Sequence, residues 1–288
     1  MNISNQNTLA KEVSCVGVGL HSGDDVTMTL RPADEDTGIV FVRKDVKGFN
    51  PMVKADFRNV SATNLGTSIA NNEGTMVATI EHLMAAFWGC DIDNAIVELD
   101  GPEVPIMDGS SEPFVFLIEC AGIQKQEAPR KIIEVLKPVE VRADNKIASF
   151  KPAENFSVSL EIDFKNSVIS SQKCVFDSSD VSFKTDLCRA RTFGFEDEVS
   201  YLRSQGLAKG GSLKNAVVVG KDKVLNEEGL RYQNEFVRHK ILDCIGDFYL
   251  IGAHIKGSFS GYRSGHDLNN RLLHKFFEDK DAWRLLPA

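Results

Sequence analysis

The stretch GDDVTMTLRPAD, residues 23–34, alternates apolar Val26, Met28 and Leu30 with polar neighbours, then ends in a basic residue, Pro-Ala and an acid. Period-two alternation marks a strand with one buried face. A second run, ADNKIASFKPAE at 143–154, repeats the design at an offset of 120. The echo predicts an internal duplication and therefore two similar halves. Each copy is followed by a helix-like segment bearing a His, TIEHLMAAFWG (79–89) and FVRHKILDCIGDFYLIG (236–252), and then by a β-rich stretch. His82 and His239 are 157 apart, so the second half carries roughly 37 additional residues. Their expected place is 193–224, a β-α-β type insertion with a helix-like part, a Gly-rich turn and the strand NAVVVG. Pro129 and its charged neighbours in QEAPRK interrupt the patterning. The expected fold is α+β, with similar domains at 1–127 and 128–288.

The bulk composition narrows the function classes. A chain of 288 residues with 42% hydrophobic and 26% charged residues can bury a core without staples. Its net charge of -8 argues against nucleic acid as a partner, since phosphate neutralisation needs a Lys and Arg surplus. Six cysteines without a C-x-x-C pair read as reduced, mostly buried thiols. The N-terminus lacks the basic lead and continuous apolar core of an export signal. Apolar runs such as FVFLIECAGI break well short of the ~20 residues that span a bilayer. A cytoplasmic protein without a transmembrane segment is expected.

The chemistry-bearing residues cluster on the two His-bearing segments. In RHKILDCIGD, His239, Asp243 and Asp247 recur at intervals of four, which stacks them with Lys240 on one helix face. Ile241, Leu242, Ile245, Phe248 and Tyr249 fill the other side. The polar stripe is either a solvated surface or part of a metal site. Glu81 and His82 pose the same choice beside the apolar stripe of Ile80, Leu83, Met84 and Phe87. No second His follows His82 by four residues, so the H-E-x-x-H zinc helix is absent. A site assembled across the halves, from His82, His239 and Asp243, supplies two imidazoles and a carboxylate. Three protein ligands are the number found at catalytic zinc. Glu81, beside a ligand in sequence, is placed to take a proton from water. His266, in the turn-rich GYRSGHDLNN, is either a surface residue or an acid held charged by a carboxylate, for which Asp247 is the natural partner.

Taken in order, GVGLHSG, TIEHLMAAFWG, DGPEVPIMDGSSEPF, ARTFGF, GLAKGGSLKNAVVV, RHKILDCIGD and SGHDLNN span nearly the whole chain. The ordered set resembles the zinc-dependent UDP-3-O-acyl-N-acetylglucosamine deacetylases of Gram-negative lipid A synthesis. The resemblance implies domains that each layer a β-sheet against helices, with the active site where they meet. It implies hydrolysis of the 2-acetamide to a free amine and acetate. By position, His82, His239 and Asp243 resemble the zinc ligands, Glu81 the general base, His266 the group that acts as acid or stabilises the developing negative charge, and Asp247 its orienting carboxylate. Thr192 resembles a hydroxyl that stabilises the oxyanion, and Lys240 a cation that contacts the substrate. The inserted segment would form an apolar passage for the acyl chain, with Phe193, Leu202, Gly211, Leu213, Ala216 and Val218 contributing. His21 of GVGLHSG is placed with the substrate-binding set.

Four departures or limits accompany the resemblance. SATNLGTSIANNEGT has Leu65-Gly66 in the neighbourhood where many members carry Cys-Thr, and Glu196 stands where an apolar residue is expected. RLLPA ends the sequence shortly after the last motif, so no fused dehydratase domain is expected. A two-His, one-carboxylate set also suits ferrous iron. Two other readings stay open: a metal-free sugar-nucleotide binding protein, and a zinc hydrolase for another acetylated sugar. A monomer is expected.

Overall fold

The structure, a computed structural model, describes residues 4–286, so residues 1–3 and 287–288, parts of the two terminal readings above, lie outside it. In the first half, β1 (Val13–Val18), β2 (Asp25–Pro32), β3 (Ile39–Arg43), β4 (Met52–Lys54) and β5 (Ala95–Leu99) form a sheet of order β1-β2-β5-β3-β4. The second half runs β6 (Val139–Ala143), β7 (Lys146–Lys151), β8 (Ser157–Asp163) and β9 (Ser171–Asp177). The insert's β10 (Phe193–Phe195) and β11 (Val217–Val219) come next, then β12 (Ser258–Tyr262). Its five-stranded sheet has the order β6-β7-β12-β8-β9, the same topology. Both sheets even place their one parallel pair alike, β3 with β5 and β8 with β12.

The alternation in the opening stretch is realised: Val26, Met28 and Leu30 of β2 are buried while Asp25 and Thr27 are exposed. The helices that cover these faces are α1 (Glu81–Gly89) and α2 (Glu112–Ala121) in the first half. In the second half α4 (Glu235–Tyr249) and α5 (His266–Glu278) follow the insert's α3 (Glu196–Ser204). Phe150 of β7, Phe259 of β12, Phe248 of α4 and Phe276 of α5 interlock with ring centroids 4.7–5.8 Å apart. The fold is α+β, each large sheet layered against helices. The N-terminal strand Asn5–Leu9 pairs antiparallel with Ile123–Pro129, so the patterning break near Pro129 falls at the end of a strand.

Both halves depart from the shared pattern at one point, between the fourth strand and the His-bearing helix. The first half has a small sheet there, Val60–Ala62, Ser68–Ala70 and Met76–Val77. The second has the insert, in which β10 and β11 pair in parallel across α3, a β-α-β unit. No side chain of α3 is buried. Glu196, Asp197 and Glu198 fill its first turn, where carboxylates complement the helix dipole, which gives Glu196 a structural reason to be there.

Helix α4 is buried on both faces, which settles the first choice left by the sequence. His239, Asp243 and Asp247 are as buried as Ile241 and Leu242. The polar stripe faces α1 rather than water. The helices touch at backbone distance, because Gly246 has no side chain: a Cβ there would sit 2.1 Å from the Glu81 carbonyl oxygen. Among the described residues no helix is long and apolar enough to cross a membrane. All six cysteines are free; Cys90, Cys188 and Cys244 are buried, Cys15 and Cys174 partly so, and Cys120 is exposed.

Candidate metal centre and catalytic site

His82 rises from the first turn of α1, and His239 and Asp243 lie one turn apart on α4, so the packing of these helices brings all three together. Their ligand atoms lie within 4.8 Å of one another, and all three residues are buried. Asp243 Oδ1 is 3.3 Å from His239 Nε2 and 3.6 Å from His82 Nε2. Around a tetrahedral zinc with bonds of about 2.0–2.1 Å, neighbouring ligand atoms stand about 3.3–3.4 Å apart. Asp243 Oδ1 is also buried with no hydrogen-bond partner among the described residues, a costly condition that a cation would relieve. His239 Nδ1 lies 3.0 Å from the Ala190 carbonyl, to which it donates, leaving the Nε2 lone pair free. Burial lowers the His239 pKa to about 3, against the pull of Asp243, so the ring is neutral as a ligand must be. Burial also opposes ionisation of Asp243, but the Lys240 ammonium at its Oδ2 helps hold its carboxyl well below the usual range. These residues fit a divalent metal.

Beside the cluster stand three further ionisable groups. Glu81 begins α1 and is buried; burial raises its pKa, with His266 and His82 pulling the other way. His266 begins α5, and its Nδ1 is 2.9 Å from Asp247 Oδ2. Burial alone would lower the His266 pKa, but the charge and hydrogen bond of Asp247, with Glu81 and Asp243, raise it to about 9. Its other nitrogen, Nε2, lies 4.0 Å from Glu81 Oε1 and 3.9 Å from Asp243 Oδ2. A proton acceptor and a proton donor therefore flank one point beside the candidate metal ligands. The structure thus joins His266 to Asp247 as the sequence predicted.

Glu81, His82, Thr192, Phe193, His239, Lys240, Asp243 and His266 line one cavity of about 550 Å³. Thr192 is set there by its neighbours rather than by its own helix or strand. Arg191, buried, donates to Glu235 at the start of α4 from its backbone N–H (3.0 Å) and its guanidinium (2.8 Å). The same segment supplies the Ala190 carbonyl to His239. Lys240 Nζ is 2.8 Å from Asp243 Oδ2 and 5.9 Å from the Phe193 ring centre. It faces the cavity, yet its nearest partner is the carboxylate of a candidate metal ligand.

Leu202, Gly211, Leu213, Ala216, Val218 and His21 do not line this cavity. Gly211 packs by Leu20, which does: a Cβ added there would be 3.6 Å from Leu20 Cδ1. The His21 backbone N–H is held by Glu103, and its Nδ1 faces the Ala208 N–H at 3.4 Å. His21 thus joins the turn carrying Leu20 to the insert.

A family model described as LpxC: UDP-3-O-acyl N-acetylglycosamine deacetylase matches residues 6–278. The chain belongs to this deacetylase family. A UDP-3-O-acyl-N-acetylglucosamine deacetylase from Teredinibacter turnerae is 51% identical over 285 residues, 98% of this chain and 93% of that protein. Membership bears out the resemblance carried by the ordered motifs. Sequence reasoning did miss parts of this deacetylase site: Thr67, Asn269, Glu235 and the Ala190 carbonyl. Asn269 had a signal, since it follows His266 by three on one helix face. Thr67 had none, being one of three Thr in a turn-rich run.

Proposed function

We propose that this chain removes the acetyl group from UDP-3-O-acyl-N-acetylglucosamine in lipid A biosynthesis, as a zinc enzyme acting in the cytoplasm, with ferrous iron an alternative occupant. The observation that carries the reading is the convergence of His82, His239 and Asp243 with Glu81 and the His266–Asp247 pair in one cavity of about 550 Å³. The net charge of -8 and the absence of a membrane-crossing helix among the described residues agree with a protein that meets its lipid precursor from water. All these groups come from one chain, so a monomer suffices. The domain division proposed is 1–127 and 128–288, with the repeated sheet order in its support.

Zinc bound by the three ligands would polarise the acetamide carbonyl and lower the pKa of the attacking water. Glu81 takes the proton of that water through Oε1. His266, fixed by Asp247 at Nδ1, presents Nε2 to the nitrogen of the breaking C–N bond and protonates the leaving amine. The Thr192 hydroxyl donates to the oxyanion as the carbonyl carbon becomes tetrahedral. Lys240 holds the anionic substrate while neutralising Asp243 Oδ2. Burial of the whole constellation excludes competing water and strengthens each charge interaction.

The acyl chain leaves the cavity past Phe193 and Leu20 and runs along the insert, where Leu202, Gly211, Leu213, Ala216 and Val218 form an apolar passage and His21 braces its wall. Support comes from Tyr201, 66% exposed, and Leu213, 45% exposed, apolar surface of the insert that an acyl chain would cover. The test compares acetate release from UDP-3-O-acyl-N-acetylglucosamine and from UDP-N-acetylglucosamine. The acylated compound is expected to be turned over far faster. Equal rates would contradict the substrate assignment and favour a zinc hydrolase for another acetylated sugar.

A further inference from the structure

Thr67 sits just before the strand Ser68–Ala70 of the small sheet and is buried, 2% exposed. Its backbone N–H donates to Glu81 Oε2 at 2.9 Å, and its carbonyl accepts from the Ile80 N–H, at the entry to α1, at 3.2 Å. Its hydroxyl donates to Asp247 Oδ1 at 2.6 Å and lies 3.1 Å from His266 Nδ1. One residue of the first half thus touches the carboxylate on α1 and both members of the His–Asp pair on α4 and α5.

Counting donors fixes what these contacts mean. A threonine hydroxyl has one proton, and a carboxylate only accepts. Asp247 Oδ1 receives the Thr67 proton, while Oδ2 receives Asn269 Nδ2 at 2.9 Å and faces His266 Nδ1 at 2.9 Å. With its proton committed to Asp247, the Thr67 oxygen can meet His266 Nδ1 only as an acceptor. Nδ1 must then carry hydrogen, and Nε2 is the nitrogen left to face the cavity. Thr67 and Asn269 clamp the Asp247 carboxylate from opposite oxygens, so it cannot rotate away from the ring. The position before Thr67 is glycine for a matching reason: a Cβ on Gly66 would come within 2.9 Å of Glu81 Oε1.

We propose that Thr67 is a positioning residue for deacetylation: its backbone holds Glu81, and its hydroxyl, through Asp247, holds His266 with Nδ1–H inward and Nε2 toward the reacting bond. Thr67 does not line the cavity and acts only through these two groups. The activity arm of its test rests on the deacetylation reading above.

Thr67→Val removes the hydroxyl while keeping shape and backbone N–H. The expected result is a fall in kcat on the order of 10- to 100-fold, with KM unchanged, since substrate is not touched. The ring Nδ1–H of His266, observed by proton NMR, should exchange faster with water in this variant. Thr67→Ser should restore both properties. If Thr67→Val does not fold, Thr67→Cys, a weak donor of similar size, is expected to show the same fall. Wild-type kcat in Thr67→Val, a change confined to KM, or a Thr67→Ser enzyme as impaired as Thr67→Val would each overturn the proposal. Should the wild-type protein release no acetate, the deacetylation reading fails by itself. The exchange of the His266 ring proton still decides the clamp, and unchanged protection in Thr67→Val would overturn it.

Discussion

Replacing Asp243 with Ala is expected to leave the protein without its metal and to reduce acetate release by about three powers of ten or more, the equivalent of several kcal/mol of lost Lewis-acid stabilisation. The reason lies in the geometry around Oδ1, which stands 3.3 and 3.6 Å from the two imidazole nitrogens and has no hydrogen-bond partner of its own. Without it two imidazoles remain, at a centroid separation of 4.9 Å, with no carboxylate to offset a dication. The variant should still fold, because Ala leaves Lys240 25% exposed at its side chain and able to reach water. Metal content by atomic emission, read beside kcat, checks the result. An Asp243→Ala protein that keeps stoichiometric metal and turnover would remove Asp243 from the ligand set.

Glu81→Gln should give the opposite pairing of results, metal retained and turnover lost, with kcat lower by roughly 10²–10⁴-fold. The substitution keeps size and still lets an oxygen accept the Thr67 N–H, but it removes the group able to take a proton. Glu81 is suited to that task because burial raises its pKa toward the working range while His266 and His82 restrain the rise. In this reading its neighbour His82 would carry the metal contact, so two adjacent residues on one helix would divide ligand and base between them. A Glu81→Gln enzyme with unchanged kcat would assign the proton transfer elsewhere, to His266 in the first instance.

What the sequence revealed depended on whether a feature was periodic. The echo between residues 23–34 and 143–154 pointed to an internal duplication, because a strand with one buried face must alternate wherever it occurs, and the two five-stranded sheets share one strand order, which the echo alone did not give. The stripe of His239, Asp243 and Asp247 was equally legible as a helix face. Its burial was not, since that depends on α1 arriving from a segment over 150 residues earlier and on Gly246 admitting it. The same limit hid Thr67, whose hydroxyl meets Asp247 and His266 from far along the chain, whereas the pairing of Lys240 with Asp243, three residues on along one helix face, was within reach of the spacing and competes with the free cation expected for the substrate. Residues 193–224, read as an insert from turns and apolar runs, contain a β-α-β unit. Which of its side chains meet the cavity was beyond any pattern, and of those named only Phe193 does.

The account stands or falls on the metal cluster joining the two halves. The most direct measurement is acetate release from UDP-3-O-acyl-N-acetylglucosamine by the purified protein, before chelation, after complete metal removal, and again with substoichiometric zinc returned. The predicted result is activity that disappears with the metal and returns in proportion to the zinc added. Activity untouched by complete removal, or none in the metal-loaded protein, would contradict the account.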